Sequence, residues 1–236
     1  MGRDFSELFN VKKPIIGMIH LAGRDEKEKI DRALEEISIF EEEGVSGAIV
    51  EDYHGSIEDI RNVLKKTSRR KMKLVVGVNA LGHPCLGFNL ADEFGAGFIQ
   101  FDSVQTRDLD LAYYNKSREK YPNICVLGGI RFKYKRMTGN SLEEDLAEGM
   151  PRCDAVVTTG EGTGIETPTE KLRDFKRILG SFPLVVGAGV NLKNVYEQLE
   201  IADGAIVGSY FKSYDTNEKV IRERVSELMS EVKNRF

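Results

Sequence analysis

Eight short apolar runs divide the chain at nearly even steps. They are PIIGMIH from Pro14, VSGAIVE from Val45, KLVVGVN from Lys73, GFIQFD from Gly97, ICVLGGI from Ile124, CDAVVTT from Cys153, PLVVGAG from Pro183 and DGAIVG from Asp203. Rich in β-branched residues and six or seven long, they read as strands buried on both faces. Their starts fall 20 to 31 residues apart. That spacing holds one helix and two short loops, the length of a βα unit.

The gaps carry helix grammar. In DEKEKIDRALEEISIFEEEG, Ile30, Ala33, Leu34, Ile37 and Phe40 share one face, and Gly44 closes the helix. In ETPTEKLRDFKRILG, Thr167 is the expected cap, Pro168 the first helical residue and Glu170 the capping-box partner. Leu172, Phe175 and Leu179 then face the sheet. SLEEDLAEG opens at Ser141, and the closing helix aligns Val220, Ile221, Val225, Leu228 and Val232. Asn191, behind the Gly187-Ala188-Gly189 turn, is the expected N-cap of the seventh helix. LGHPCLGFNLADEFG is the weakest: a loop to about Pro84, then a short helix. With no linker or low-complexity tract, residues 1–236 read as one domain. Strand–helix alternation repeated eight times predicts an α/β fold, a (β/α)8 TIM barrel; a doubly wound open sheet is the alternative, since sequence does not show closure.

Composition narrows the function classes. A net charge of −4 argues against a nucleic-acid footprint, and the basic run KKTSRRKMK (Lys65 to Lys73) suits a helix C-terminus. Cys85, Cys125 and Cys153 form no CxxC pair and read as buried bystanders of a reducing compartment. MGRDFSELF has no apolar core for a signal peptide, although Gly2 and Ser6 fit the permissive acylation pattern M-G-x-x-x-[ST]. No apolar run approaches the ~18 residues of a membrane span. The expectation is a soluble, cytoplasmic protein, with a homo-oligomer left open.

In a barrel the chemistry collects where strands end. Those positions are His20, Glu51 with Asp52, Asn79, Asp102, Arg131 with Lys133, and Thr158 with Thr159. The seventh and eighth strands finish in Gly187-Ala188-Gly189 and Gly208-Ser209, and loop six adds Gly160, Gly162, Thr163 and Gly164. One side of the mouth therefore carries acids, an amide and a histidine, the other glycines and hydroxyls. Bare backbone N–H groups in such loops bind oxyanions without side chains. The expected phosphate-binding set is Gly160, Gly162, Thr163, Gly164, Gly187, Gly189, Gly208 and Ser209; ordinary tight turns are the competing reading. Glu51, Asp102, Lys133, His20 and Asn79 are the expected catalytic set. The competing reading for Glu51 is a salt bridge to Lys133 or Arg131. No cofactor is expected; His20, Glu51 and Asp102 could suit a divalent metal, but no local motif such as HExxH supports one.

The segments KPIIGMIHL, GAIVEDY, VVGVNAL, GAGFIQFD, AVVTTGEGTG, PLVVGAGVNLKNV and ADGAIVGSYFK together resemble the BtpA/SgcQ family, in order from about Lys13 to Lys212. The family takes its name from photosystem I biogenesis, though members occur in organisms without photosystems. The resemblance implies a ribulose-phosphate-binding type of barrel, with His20, Glu51, Asn79, Lys133 and the last three loops' glycines on family positions. Three departures stand out: Ala22-Gly23 replaces a proline-rich first loop, Asp102 stands where Asn is usual, and Tyr134 where His often follows the lysine. Two functions are expected in competition. One is an enzyme acting on a small phosphorylated metabolite by isomerase, epimerase or aldolase/lyase chemistry; the other is a noncatalytic barrel serving as a ligand-binding or assembly factor.

Overall fold

The computed structural model describes residues 5–236, so Gly2 of the acylation pattern lies outside the described residues. Eight strands close into a barrel: β1 (Ile15–Ile19), β2 (Gly47–Glu51), β3 (Val75–Asn79), β4 (Phe98–Phe101), β5 (Cys125–Gly129), β6 (Ala155–Thr159), β7 (Leu184–Gly187) and β8 (Gly204–Val207). Every neighbouring pair is parallel, and β8 returns to pair with β1, which excludes the open sheet. The helices are α1 (Phe5–Leu8), α2 (Glu26–Glu43), α3 (Ile57–Thr67), α4 (Leu86–Phe94), α5 (Leu111–Lys120), α6 (Leu142–Gly149), α7 (Thr169–Leu179), α8 (Val195–Ile201) and α9 (Arg222–Arg235).

Period-two alternation sorts each strand into two shells. Inward residues such as Ile16, Met18, Ile49, Phe98, Leu127, Val157, Val185 and Ile206 fill the barrel. Their neighbours Ile15, Val50, Val78, Ile99, Val126, Val156 and Val186 pack under the helices. Phe98 occupies so much of the axis that a Cβ on Gly77 would lie 2.4 Å from its ring. Phe5, Leu8 and Phe9, from a segment that showed no apolar core, plug the N-terminal end, with Phe9 edge-on to Phe98 at 5.4 Å.

Local grammar decides most helix ends. Gly44 caps α2 in the left-handed region at φ 78°, and Ser141 and Glu144 make the reciprocal capping box of α6. Two expected caps are corrected. Thr167 donates its hydroxyl to Gly187 O, tying loop six to β7, so α7 starts one residue beyond Pro168 without a side-chain cap. Asn191 accepts from Lys193 N in a turn, and α8 starts only at Val195. Both residues are taken by the loops they sit in. Among the described residues no helix is long and apolar enough to cross a membrane.

Candidate active site

The inward-facing rows of β1 to β4 all end in polar groups. Glu51 and Asn79 are register partners on β2 and β3, so their side chains rise side by side. Asn79 Nδ2 donates to Glu51 Oε2 at 2.6 Å and to Asp102 Oδ1 at 3.1 Å, bridging two acids with one amide. Gln100, on the inward face of β4, donates to the same Asp102 oxygen at 3.2 Å. Burial, reinforced by Asp102, pushes the Glu51 carboxyl up to about 8; Lys133 and the Asn79 bond oppose the shift without cancelling it. Glu51 is thus protonated at neutral pH. The salt-bridge reading of Glu51 is not met, because no ion pair joins it to Lys133 or Arg131 among the described residues.

His20 lies beside this chain with its ring edge-on to Tyr53 at 5.5 Å. Burial, then the charges of Lys212 and Lys133, hold it well below the ordinary imidazole range. It is therefore neutral, and its Nδ1 has no hydrogen-bond partner. His54 is tied to Thr216 at 2.9 Å.

The opposite wall is backbone. Ala188 and Gly189 take successive left-handed conformations, φ 63° and 68°, curling the turn after β7. A Cβ on Gly189 would lie 2.3 Å from the Glu166 backbone, so glycine is required both by the turn and by the approach of loop six. Thr163, Gly164, Gly187, Gly189, Gly208 and Ser209 line the same cavity as His20, Glu51, Asp102 and Lys133, about 310 Å³ in volume. Gly160 and Gly162 do not line it. Gly160 is pressed against the carbonyls of Ile165 and Glu166, and Gly162 sits under Ile165.

The cations at the end of β5 part company. Arg131, at φ 49°, turns outward and pairs with Asp145 at 2.7 Å. Lys133 enters the cavity, its Nζ 3.1 Å from Thr163 Oγ1 and its N–H held by Thr159 Oγ1 at 2.6 Å. Thr159 faces the mouth, whereas Thr158 is fully buried with an unpartnered hydroxyl and lies outside the lining. Asp52 stays on the rim, accepting from Leu81 N at 2.8 Å. All three cysteines are buried, and burial pushes the Cys85 and Cys153 thiols up. Among the described residues no group of three His, Cys, Asp or Glu is arranged to hold a metal ion.

The profile of the BtpA family matches residues 11–234. The chain belongs to the BtpA family. An uncharacterized protein of Pyrococcus furiosus is 28% identical over 239 residues, spanning 89% of this chain and 88% of its own. The photosystem I biogenesis protein BtpA of Synechocystis is 24% identical over 259 residues, spanning 94% and 89%. Among solved structures, phosphoribosyl anthranilate isomerase from Thermus thermophilus superposes with a TM-score of 0.67 over 94% of this chain and 98% of its own. At 13% identity that likeness shows the fold alone.

Within this BtpA-family barrel three residues escaped the sequence reading. Gln100 sits in an apolar strand, and a lone amide there was the available signal. Lys171 reaches back from the first turn of α7 to Arg131 O at 2.9 Å and Thr159 O at 2.6 Å, bracing the ends of β5 and β6. Burial, then the Arg131 charge, lowers its ammonium to about 8. A lysine in a helix's first turn opposes the dipole, and that was its signal. Lys212 is buried against Glu36 at 2.5 Å, with Arg32 on the same carboxylate at 3.0 Å, and this cluster anchors the loop after β8 to α2. Nothing in SYFK announced it.

Proposed function

We propose that the cavity binds a small phosphorylated metabolite and moves a proton between carbons next to its carbonyl, as an isomerase or epimerase does. The observation that carries this is the Glu51–Asn79–Asp102 chain: two acids, one of them protonated, fixed by a shared amide and facing a glycine-rich wall. Asn79 occupies Glu51 Oε2, leaving Oε1 to hold the acidic proton. Both amides converge on Asp102 Oδ1, leaving Oδ2 to accept a proton from carbon. Asp102 takes the proton, Glu51 donates to the developing enediol oxygen, and the neutral His20 ring offers a further donor there. Return of the proton to the same or the adjacent carbon completes an epimerisation or an isomerisation with no change in oxidation state overall. Backbone N–H groups of loops six to eight hold the phosphate. Lys133 is engaged with Thr163 of the glycine loop, which favours this route over an imine-forming aldolase.

The test is hydrogen exchange. Phosphorylated aldoses and ketoses are incubated with the protein in D2O, and deuterium on carbon is followed by mass spectrometry. Incorporation lost in both Glu51→Gln and Asp102→Asn supports the reading; incorporation into none of the compounds refutes it.

A second reading, a noncatalytic assembly factor, draws on the name of the Synechocystis relative and on exposed side chains around the mouth such as Tyr134, Met137, Ile165 and Tyr214. It expects both acid substitutions to be silent in any turnover.

A further inference from the structure

Tyr134, one of the departures from the family pattern, makes an unusual contact. It is 71% exposed and takes a left-handed φ of 61°, a conformation a bulky residue adopts only when neighbours hold it there. What holds it is the tip of its side chain. The phenol oxygen accepts the Thr163 N–H at 2.9 Å, and its O–H donates to Thr163 Oγ1 at 3.3 Å. The same Thr163 hydroxyl is 3.1 Å from Lys133 Nζ. An amide N–H, a hydroxyl and an ammonium thus converge at one corner of the cavity, beside Gly164 and Ser209, and an oxygen atom already sits among them. Neither Arg131, paired with Asp145, nor Lys171, bound to two carbonyls, is free to serve that corner.

We propose that Lys133 and Thr163 form the clamp for the ligand's phosphate and that the Tyr134 phenol is a built-in stand-in, exchanged for a phosphate oxygen when the ligand binds. The proposal rests on the phosphate-binding reading above and assigns the corner where that phosphate sits. A phosphate monoester dianion suits the corner because it accepts from the amide, the ammonium and a rotated Thr163 hydroxyl at once, whereas the phenol oxygen hydrogen-bonds only with Thr163 and offers Lys133 no more than its ring face at 6.0 Å. Exchange also releases Tyr134 from its left-handed backbone, so the loop after β5 opens or closes with occupancy. Lys133 acts as a counter-charge to the phosphate and contributes no covalent step.

The two residues are expected to act in opposite directions. In Tyr134→Phe the internal competitor is gone, so inorganic phosphate binds about two- to tenfold tighter, the factor for one hydrogen bond of ordinary net strength. In Lys133→Gln it binds at least about tenfold more weakly, as for a lost charge-assisted contact, and Lys133→Arg restores most of the affinity. The probe is inorganic phosphate, titrated by calorimetry at matched ionic strength against wild type and the three variants. Circular dichroism confirms each fold, and Tyr134→Phe changes an exposed residue. Tighter binding in Tyr134→Phe together with weaker binding in Lys133→Gln supports the exchange. Phosphate binding to wild type with unchanged or weaker affinity in Tyr134→Phe overturns the exchange and leaves the phosphate-site reading standing. No phosphate binding to wild type or to Tyr134→Phe overturns both.

Discussion

Replacing Glu51 by glutamine keeps the side chain's shape and its bond from Asn79 while removing the ionisable proton. In the folded protein the carboxyl is pushed up from 4.5 to about 8. An unfolded chain ionises it at its ordinary value, so between the two the native state holds more protons than the unfolded one. Stability therefore falls as pH rises across that window, by about 1.4 kcal/mol per pH unit. The accumulated cost is about 3 kcal/mol at pH 7 and levels off near 5 kcal/mol above pH 8. Glutamine carries none of it. Glu51→Gln should match wild type near pH 4 and exceed it by roughly 3 kcal/mol at pH 7, about 6–12 °C in Tm for a chain of 236 residues. The assay is thermal unfolding followed by far-ultraviolet circular dichroism from pH 4 to 8.5, both proteins at one scan rate. Every other titrating group is common to the pair, so the pH dependence of the difference belongs to Glu51 and the partners it couples to. A difference that stays flat with pH, or vanishes at pH 7, would mean Glu51 is already ionised in the folded mouth, and the acid role assigned to it would fall.

Further tests follow from single contacts. Wild-type deuterium exchange into substrate should decline as pH rises through about 8, where the Glu51 proton is lost, and Glu51→Gln should be slower by about a hundredfold or more at every pH below that. Asn79→Leu removes the donor shared by both acids; it should cost about 1–3 kcal/mol in denaturant unfolding and lower kcat more than it changes KM. Gly189→Ala forces a Cβ to 2.3 Å from the Glu166 backbone at φ 68°; a loss of about 2 kcal/mol or more, with phosphate binding abolished in calorimetry, is expected. Glu36→Gln removes the counter-charge of the buried Lys212, while Arg32 keeps the Asn217 and Glu218 carbonyls, and chemical denaturation should show a loss of about 3–5 kcal/mol.

The barrel was legible because its signal repeats. Eight apolar runs at βα spacing leave few alternatives, and only closure, a contact between β1 and β8, required coordinates. Helix starts were legible where cap and partner are local, as at Ser141 with Glu144, and illegible where the capping side chain was claimed from afar, as Thr167 is by Gly187. The same distinction divides the site. His20, Glu51, Asn79 and Asp102 could be read because each is the polar end of an apolar run. Arg131 and Lys133, two apart at the end of one strand, looked equivalent. A left-handed backbone at Arg131 sends one to Asp145 and leaves the other in the cavity, and no spacing rule reports that turn.

Lys171 shows why the hidden residues matter to the chemistry. Its ammonium accepts no role in the cavity, yet it binds the carbonyls of Arg131 and Thr159 on the outer side of the loops that carry Lys133 and Thr163. Strand ends present carbonyls that need donors; here one helix lysine supplies them to two adjacent strands. The ends of β5 and β6 are thereby braced by a residue outside the cavity lining, while Lys133 and Thr163 line the cavity. The acid half is built the same way, with Asn79 and Gln100 spending amides so that each carboxyl keeps one oxygen free. Both halves are organised by donors that fix neighbouring polar groups in place, and such donors are recognised by what they bridge in space, which a linear sequence does not display.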